Sequence, residues 1–444
     1  MHRGKYTMPA AIEKTHTMIK YLPELVKENI ISQEIADRIT DYYQHKKKQG
    51  PNKLFLIFGV LGALLVGIGI ILIIAHNWDD FPRNMKVVFA FLPLIVAQVL
   101  CGYTLAKKSD SMAWRESTST FLFLSVGACI SLVSQIYHIS GNLSTFLSVW
   151  MCLCLPVIYL MNSSFTSILF IAGITYYACE SGFFSFPYSE PYLYWLLLLL
   201  VVPHYLKIMR KSPGGNFVRF HHIIITLSVI ISLGTFANKS AELMYIAYFN
   251  VFGILLMMDT IPYFQKIKLQ DKAFELIGFS GTMVLLFIVS FHWIWEHLFN
   301  KHHDIDQLFT AREMIPLIIT ALIAIWFLYR KYRSYGLKKI NPVEFTFLFF
   351  ILVYVLTRFV PTLAMVCINA AILYLGVTTI INGLRNNRLG IVNFGILIVA
   401  ILITCRFFDT NFSFLARGFL FVAVGAGFFL TNYRMLKNRR RNEN

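Results

Sequence analysis

The chain alternates long apolar runs with short polar joints, and the runs are about 17–22 residues long. A hydrocarbon core of about 30 Å takes roughly 20 helical residues to cross. The runs are continuously apolar, without the dyad alternation of a transmembrane barrel. Helices satisfy their own backbone groups and are therefore the default spanning element. The pattern predicts spans at 54–75, 85–106, 118–139, 143–161, 164–180, 192–209, 221–237, 242–258, 274–295, 314–329, 343–360, 362–382, 389–405 and 413–433. The expected fold is an all-α, polytopic integral membrane bundle of about 14 transmembrane helices, with its least distinct joints at Ser163 and Pro361.

The first 53 residues are polar and the first apolar run begins near Leu54, so no cleavable signal peptide is expected and span 1 reads as an uncleaved anchor. Within this segment Leu22 to Asn29 reads as a short helix, and Ser32 is placed to cap a second. Ile31, Ile35, Ile39 and Tyr42 recur at helical spacing along that second helix, which ends in Lys46, Lys47 and Lys48. The reading is a cytoplasmic helical hairpin that lies on the bundle or on anionic inner-leaflet lipid, or else docks a cytoplasmic protein partner. The expected organisation is an N-terminal cytoplasmic helical domain at 1–53, the bundle at 54–433 and a basic cytoplasmic tail at 434–444.

Composition supports the membrane class. The chain is 57% hydrophobic and 14% charged, with a mean hydropathy of +0.61, whereas soluble domains are about 45–50% apolar and about 25% charged. The net charge of +17 would suggest nucleic acid in a soluble protein. Here topology absorbs it, and no nucleic-acid partner is expected. With the N-terminus inside, only Arg83, Lys86, Lys239, Lys301, Arg312, Arg358, Arg406 and Arg417 of the 40 basic residues fall on the outer side. The inner joints carry the rest, among them Lys107, Lys108, Arg115, Lys207, Arg210, Lys211, Lys331, Arg385 and Arg388. An even number of spans with both termini in the cytoplasm follows, in contact with membrane lipids. The seven cysteines fall inside apolar runs without a CxxC or Cys/His zinc pattern and read as small buried hydrophobes. Gly59, Ala63 and Gly67 in span 1, and Ala423 and Gly427 in span 14, read as close-packing faces.

Ionisable groups at membrane depth are costly and are candidates for function. Three stretches bring them to the outer level. His76, Asn77, Trp78, Asp79 and Asp80 close span 1; if the helix continues, imidazole and carboxylate share a face. Gln135 and His138 share a face at the end of span 3, before a Gly141-Asn142 turn. Arg406 and Asp409 close span 13, three residues apart and able to pair, and Arg417 opens span 14. Each stretch also has a plain structural reading: a helix-ending turn with an aromatic anchor, an interhelical hydrogen bond, and a helix-end ion pair. Weaker candidates are Arg358, Glu180, Glu190, His292, Glu296, His297, His302, His303 and Asp304, whose spacing matches no metal motif. Gln98, Asn250 and Asn369 lie mid-span and read as helix–helix hydrogen-bonding residues. There is no P-loop, GxGxxG, HExxH or GxSxG, and neither a metal nor a cofactor is expected.

The stretches LVKENIISQEIADRITDYY, GVLGALLVGIGIILIIAHNWDDFP and SQIYHISGN, and the C-terminal NGLRNNRLGIVNFGILIVAILITCRFFDTNFSFLARGFLFVAVG, resemble an uncharacterised bacterial membrane-protein family, the domain-of-unknown-function 2157 family. The resemblance is clearest over 20–165 and 362–436. It implies a bacterial cytoplasmic-membrane protein with a short N-terminal cytoplasmic domain, and it brings no activity. The convergence of polar groups at the outer level points first to a transporter or flippase for a small anionic or lipid-linked substrate. Such a site would be lined by His76, Asn77, Asp79, Asp80, Gln135, His138, Arg406, Asp409 and Arg417. A membrane-embedded transferase using Asp79 or Asp80, and a non-catalytic assembly or sensing protein, remain the alternatives.

Overall fold

A chain with this many apolar runs has to hide its backbone polar groups wherever lipid replaces water, and helices do that without partners. The computed structural model describes residues 22, 25–26, 28, 30–48, 78–184, 191–238, 240–265, 273–295, 310–337, 340–357, 361–386 and 388–409, with single positions between 415 and 429. No strand occurs among the described residues. The chain forms two compact units, Met1–Lys86 and Val87–Asn444.

In the first unit Leu22, Leu25 and Val26 are helical, and the Ile30 amide donates to the Leu25 carbonyl to close that segment. Helix α1, Gln33–Lys48, follows. The Ile35 amide donates to Ser32 Oγ at 3.4 Å, so Ser32 acts as the expected cap. Among its described side chains Ala36 is buried and Ile39 half-buried, while Ile35, expected on the apolar face, is exposed. Trp78, Asp79 and Asp80 form a turn before the next helix.

The long helices are α2 Arg83–Lys107, α3 Met112–Tyr137, α4 Leu143–Met161 and α5 Ser164–Cys179. They continue with α6 Tyr192–Lys211, α7 Asn216–Leu233, α8 Glu242–Leu256 and α9 Ala273–Ile288. The series closes with α10 Met314–Tyr335, α11 Thr346–Thr357, α12 Pro361–Arg385 and α13 Leu389–Asp409. Among the described residues 10 helices are long and apolar enough to cross a membrane, and two shorter apolar helices run over Ala273–Ile288 and Pro342–Leu356. Each coincides with a predicted span. Predicted spans 1 and 14, with their small-residue faces, lie outside the described residues or nearly so.

The joints follow from local chemistry. Asn142 caps α4 by accepting the Thr145 amide at 2.8 Å, and Ser163 caps α5 by accepting the Thr166 amide at 3.2 Å. Asn162 takes a left-handed conformation, φ 48°, which turns the chain between α4 and α5 within two residues and makes the short joint possible. Helix α9 ends seven residues earlier than predicted. After Ile288 the chain turns through Ser290, whose amide donates to the Phe287 carbonyl, and resumes as a short helix at His292–Ile294.

Apolar side chains cover the outside as well as the inside: Leu160, Leu199 and Leu276 are 65–72% exposed. In water such patches would aggregate; at the hydrocarbon they are the expected surface. One apolar core joins α3, α4, α5 and α6 around Met151, Ile158, Phe170 and Tyr194. A second joins α8 to α13 around Phe249, Leu286, Phe347, Phe350 and Ile368. Helix α8 is the central one, 72% buried along its most apolar stretch, whereas the other long helices are 17–39% buried. The reading of all cysteines as buried fails at Cys152, which is exposed on the apolar outer surface: an unpaired thiol is apolar enough to face lipid, so an apolar run alone does not choose a side.

Helices α12 and α13 form the closest pair. A Cβ on Gly383 would lie 2.7 Å from the Val392 nitrogen, and one on Gly395 would lie 2.8 Å from the Ile380 nitrogen. Backbone meets backbone, the reason small residues recur where membrane helices touch. Gly390 has open space around it. Gly395→Ala should therefore lower the thermal unfolding midpoint in detergent, by the equivalent of about 1–3 kcal/mol, while Gly390→Ala should leave it unchanged.

Candidate functional site

Joints that carry most of the described basic residues share one end of the second unit, and here the helices are tied together by buried polar groups. On α3, the Glu116 carboxylate accepts the amides of Ser164 at 2.9 Å and Phe165 at 2.8 Å, and the Ser163 hydroxyl as well. A carboxylate is the natural partner for the orphan amides at the start of α5 and for that helix's positive dipole end. Thr166 Oγ1 donates to Ser119 Oγ at 2.8 Å, continuing the network. His221 on α7 joins through Ser167: Nδ1 faces the Phe217 carbonyl at 2.7 Å, and Nε2 meets Ser167 Oγ at 3.1 Å. The carbonyl only accepts, so Nδ1 carries a hydrogen, and in the neutral ring Nε2 accepts from Ser167. His204 on α6 and His222 on α7 are also buried.

At the same end three ionisable side chains meet. Lys331, near the end of α10, places Nζ 3.0 Å from both oxygens of Asp259 and 2.8 Å from Glu344 Oε1. Asp259 sits in the 3₁₀ turn Met258–Thr260 that follows α8, and Glu344 in the 3₁₀ turn Pro342–Phe345 that leads into α11. The Lys331 and Glu344 side chains are 4% and 3% exposed, and that of Asp259 is 36% exposed. Asn341 Nδ2 approaches Glu344 Oε1 at 3.4 Å, and Glu344 Oε2 is buried with no hydrogen-bond partner among the described residues. One ammonium thus faces two carboxylates, in a setting where charge is poorly screened.

The opposite end holds the second candidate. Arg406, near the end of α13, is half-buried. Its Nη2 donates to Ser290 Oγ at 3.2 Å, and its guanidinium lies 5.3 Å from the centre of the Phe291 ring. Both partners belong to the turn that interrupts the ninth predicted span. Asn369 on α12 donates to the Met365 carbonyl at 2.7 Å and approaches the Ser290 carbonyl at 3.5 Å. At this end, too, the buried Glu313 carboxylate accepts the amides of Asn238 at 2.8 Å and Ser240 at 3.0 Å.

The sequence-predicted residues fare unevenly. Arg406 has a built environment. Asp79 and Asp80 are exposed in a turn, and His76, expected to share a face with them, lies outside the described residues. Lys86 Nζ donates to the Asp79 carbonyl at 3.4 Å and lies 5.9 Å from the centre of the Trp78 ring. Gln135 and His138 are both exposed, and they do not share a helical face: α3 stops at Tyr137 and His138 takes the left-handed capping conformation, φ 49°. Gln98 is exposed as well, whereas Asn250 reaches across from α8 to α10, donating to Thr320 Oγ1 at 3.2 Å. His76, Asn77, Arg358, Glu190, Glu296, His297, His302, His303, Asp304 and Arg417 lie outside the described residues, as do the side chains of His292 and Asp409. No group of three metal-ligating side chains occurs among the described residues.

Sequence reasoning missed the ionic cluster. It counted Lys331 as one inner-face base among many and passed over Asp259 and Glu344. Their signal was an acidic residue at the basic end of an otherwise apolar run, three residues before Pro262 in one case and two after Pro342 in the other.

Fold and polar interior together define a polytopic α-helical membrane protein, apolar outside and with its charged side chains drawn inward or to the helix ends. Residues 23–167 match the model of a family described as a predicted membrane protein, DUF2157, which is the family that the sequence motifs resemble. That match ends before the C-terminal stretch quoted for the resemblance. Nothing matches among curated proteins or among solved structures.

Removing one member of the ionic cluster leaves the others uncompensated. Lys331→Met should lower stability in detergent by about 3–5 kcal/mol, and Glu344→Gln added to it should recover part of the loss. Thermal or denaturant unfolding of the purified single and double variants checks both.

Proposed function

We propose that the protein is a transporter or flippase of the bacterial cytoplasmic membrane that handles a small anionic or lipid-linked substrate. In this reading both termini lie in the cytoplasm and Arg406 belongs to the extracytoplasmic substrate site. The observation that carries the reading is the half-buried Arg406 guanidinium against the interrupted helix at Ser290. Interrupted membrane helices present backbone and side-chain polar groups at depth, where transporters bind substrate. A guanidinium fork suits carboxylate or phosphate. The orientation follows from the bias of basic residues toward one set of joints. Membrane lipids surround the bundle, and the N-terminal helices face the cytoplasm, where a protein partner has access to them.

A second reading draws on the exposed pair Asp79 and Asp80 in the turn before α2. Two adjacent carboxylates open to solvent suit a transferase that acts on a lipid-linked substrate, one of them serving as general base. Such an enzyme turns over in detergent without a gradient, whereas a transporter needs a sealed membrane.

The test is native mass spectrometry of the protein purified in mild detergent, comparing wild type with Arg406→Gln and Asp79→Asn. Transport predicts a specific anionic small molecule or lipid that co-purifies with wild type and is lost in Arg406→Gln. Loss confined to Asp79→Asn favours the transferase. Identical ligand profiles in all three proteins would sink both readings and leave these residues as structural contacts.

A further inference from the structure

The ionic cluster at the basic end differs from an ordinary helix-end ion pair in its charge balance. Lys331 is the one cation in contact with two carboxylates, those of Asp259 and Glu344. Asp259 holds it with both oxygens at 3.0 Å and Glu344 with one at 2.8 Å, so one positive charge meets two negative ones, and of the two acids only Asp259 has water to stabilise its own. Glu344 is left as the surplus negative charge, its side chain only 3% exposed, with Oε1 shared between Lys331 and Asn341 and Oε2 buried without a partner. The surroundings do not help: Val343, Phe347, Met257 and Ile340 are buried apolar neighbours along the same segments.

No other charge among the described residues offsets it. On α10, Arg330 lies 5.4 Å from the Trp326 ring centre and Arg333 reaches Tyr329. Helix α8 carries one charged residue, Glu242, in its first turn at the other end, and α11 carries none. A buried carboxylate with one unsatisfied oxygen is costly while ionised. A proton on Oε2 removes both the net charge and most of that cost.

We infer that Glu344 is a proton-binding site, and that its occupancy sets how firmly Lys331 ties α11 to α8 and α10. The proton comes from the water at this end of the bundle; an O–H bond forms at Glu344 Oε2 and no electrons move. While Glu344 is ionised, Lys331 clamps the turns before α11 and after α8 together with charge-assisted bonds on both sides. Once Glu344 is protonated, the Lys331–Oε1 contact becomes a weaker charged-to-neutral bond and Lys331 pairs with Asp259 alone. The start of α11 is then held less firmly to α10. Under the transport reading, on which this consequence rests, the coupling ion is a proton and the clamp is the element that it biases. The site itself stands on the geometry of the cluster whatever is carried.

The experiment is an infrared pH titration of the purified full chain in lipid nanodiscs, following the carbonyl stretch of protonated, non-aqueous carboxylic acids. Wild type should develop such a band between mildly alkaline and mildly acidic pH. The band should be lost in Glu344→Gln, moved to lower pH in Asp259→Asn, which leaves Lys331 to Glu344 alone, and present at a shifted frequency in Glu344→Asp. Absence of a titrating band in wild type overturns the proposal without recourse to any variant. So does a band that survives unchanged in folded Glu344→Gln. A band that behaves as expected, in a protein that neither binds nor moves an anionic substrate, would keep the proton site and refute transport.

Discussion

The structure depends on one constraint: in hydrocarbon, a polar group has no water to fall back on. The backbone meets the constraint by being helical wherever it is apolar. The side chains meet it by pairing polar atoms between segments, while apolar residues fill the cores and cover the outer surface alike. Glu116 spends its carboxylate on three groups at the start of α5, and Glu313 spends its own on two amides at a turn. Asn250 reaches from one helix to a threonine on the next. In each case a group that could not stay unpaired at that depth has become a link between segments distant in sequence.

The two ends of the second unit solve the problem differently. The basic end gathers several helices onto fixed polar partners: Glu116 with Ser119, Thr166, Ser167 and His221, and Lys331 with its two carboxylates. At the opposite end a helix breaks at Ser290 and a half-buried arginine comes to lie against the break. Polar links between helices hold the bundle together, while an interrupted helix leaves backbone groups available. That contrast suits a bundle that anchors at one face and binds at the other.

The spans were legible because apolar length is a one-dimensional signal, and even the joint at Ser163 was, because serine is a good cap and Asn162 tolerates the left-handed turn. What was not legible was pairing. Nothing in the neighbours of Lys331 reveals that residues 72 positions before it and 13 after it hold its amine. Helix α3 ends at Tyr137, two residues before the predicted 139, enough to take His138 off the helical face shared with Gln135. The break in α9 escaped because Ser290 sits in a run as apolar as its neighbours, and a hydroxyl there reads as a tolerated core residue. Among the residues expected to form an outer site, Arg406 has an environment that singles it out, while Asp79, Asp80, Gln135 and His138 are exposed side chains whose roles rest on proposal alone.

The central claim is that the helices cross a membrane in strict alternation, with the basic joints together on the cytoplasmic side. The most direct measurement is labelling with a membrane-impermeant thiol reagent in intact and permeabilised cells, using Ser109→Cys in a basic joint and Gly141→Cys in the joint after α3, each compared with the unsubstituted chain. The account predicts that Gly141→Cys is labelled in intact cells and Ser109→Cys only after permeabilisation. Labelling of both in intact cells, or the reverse order, would contradict it.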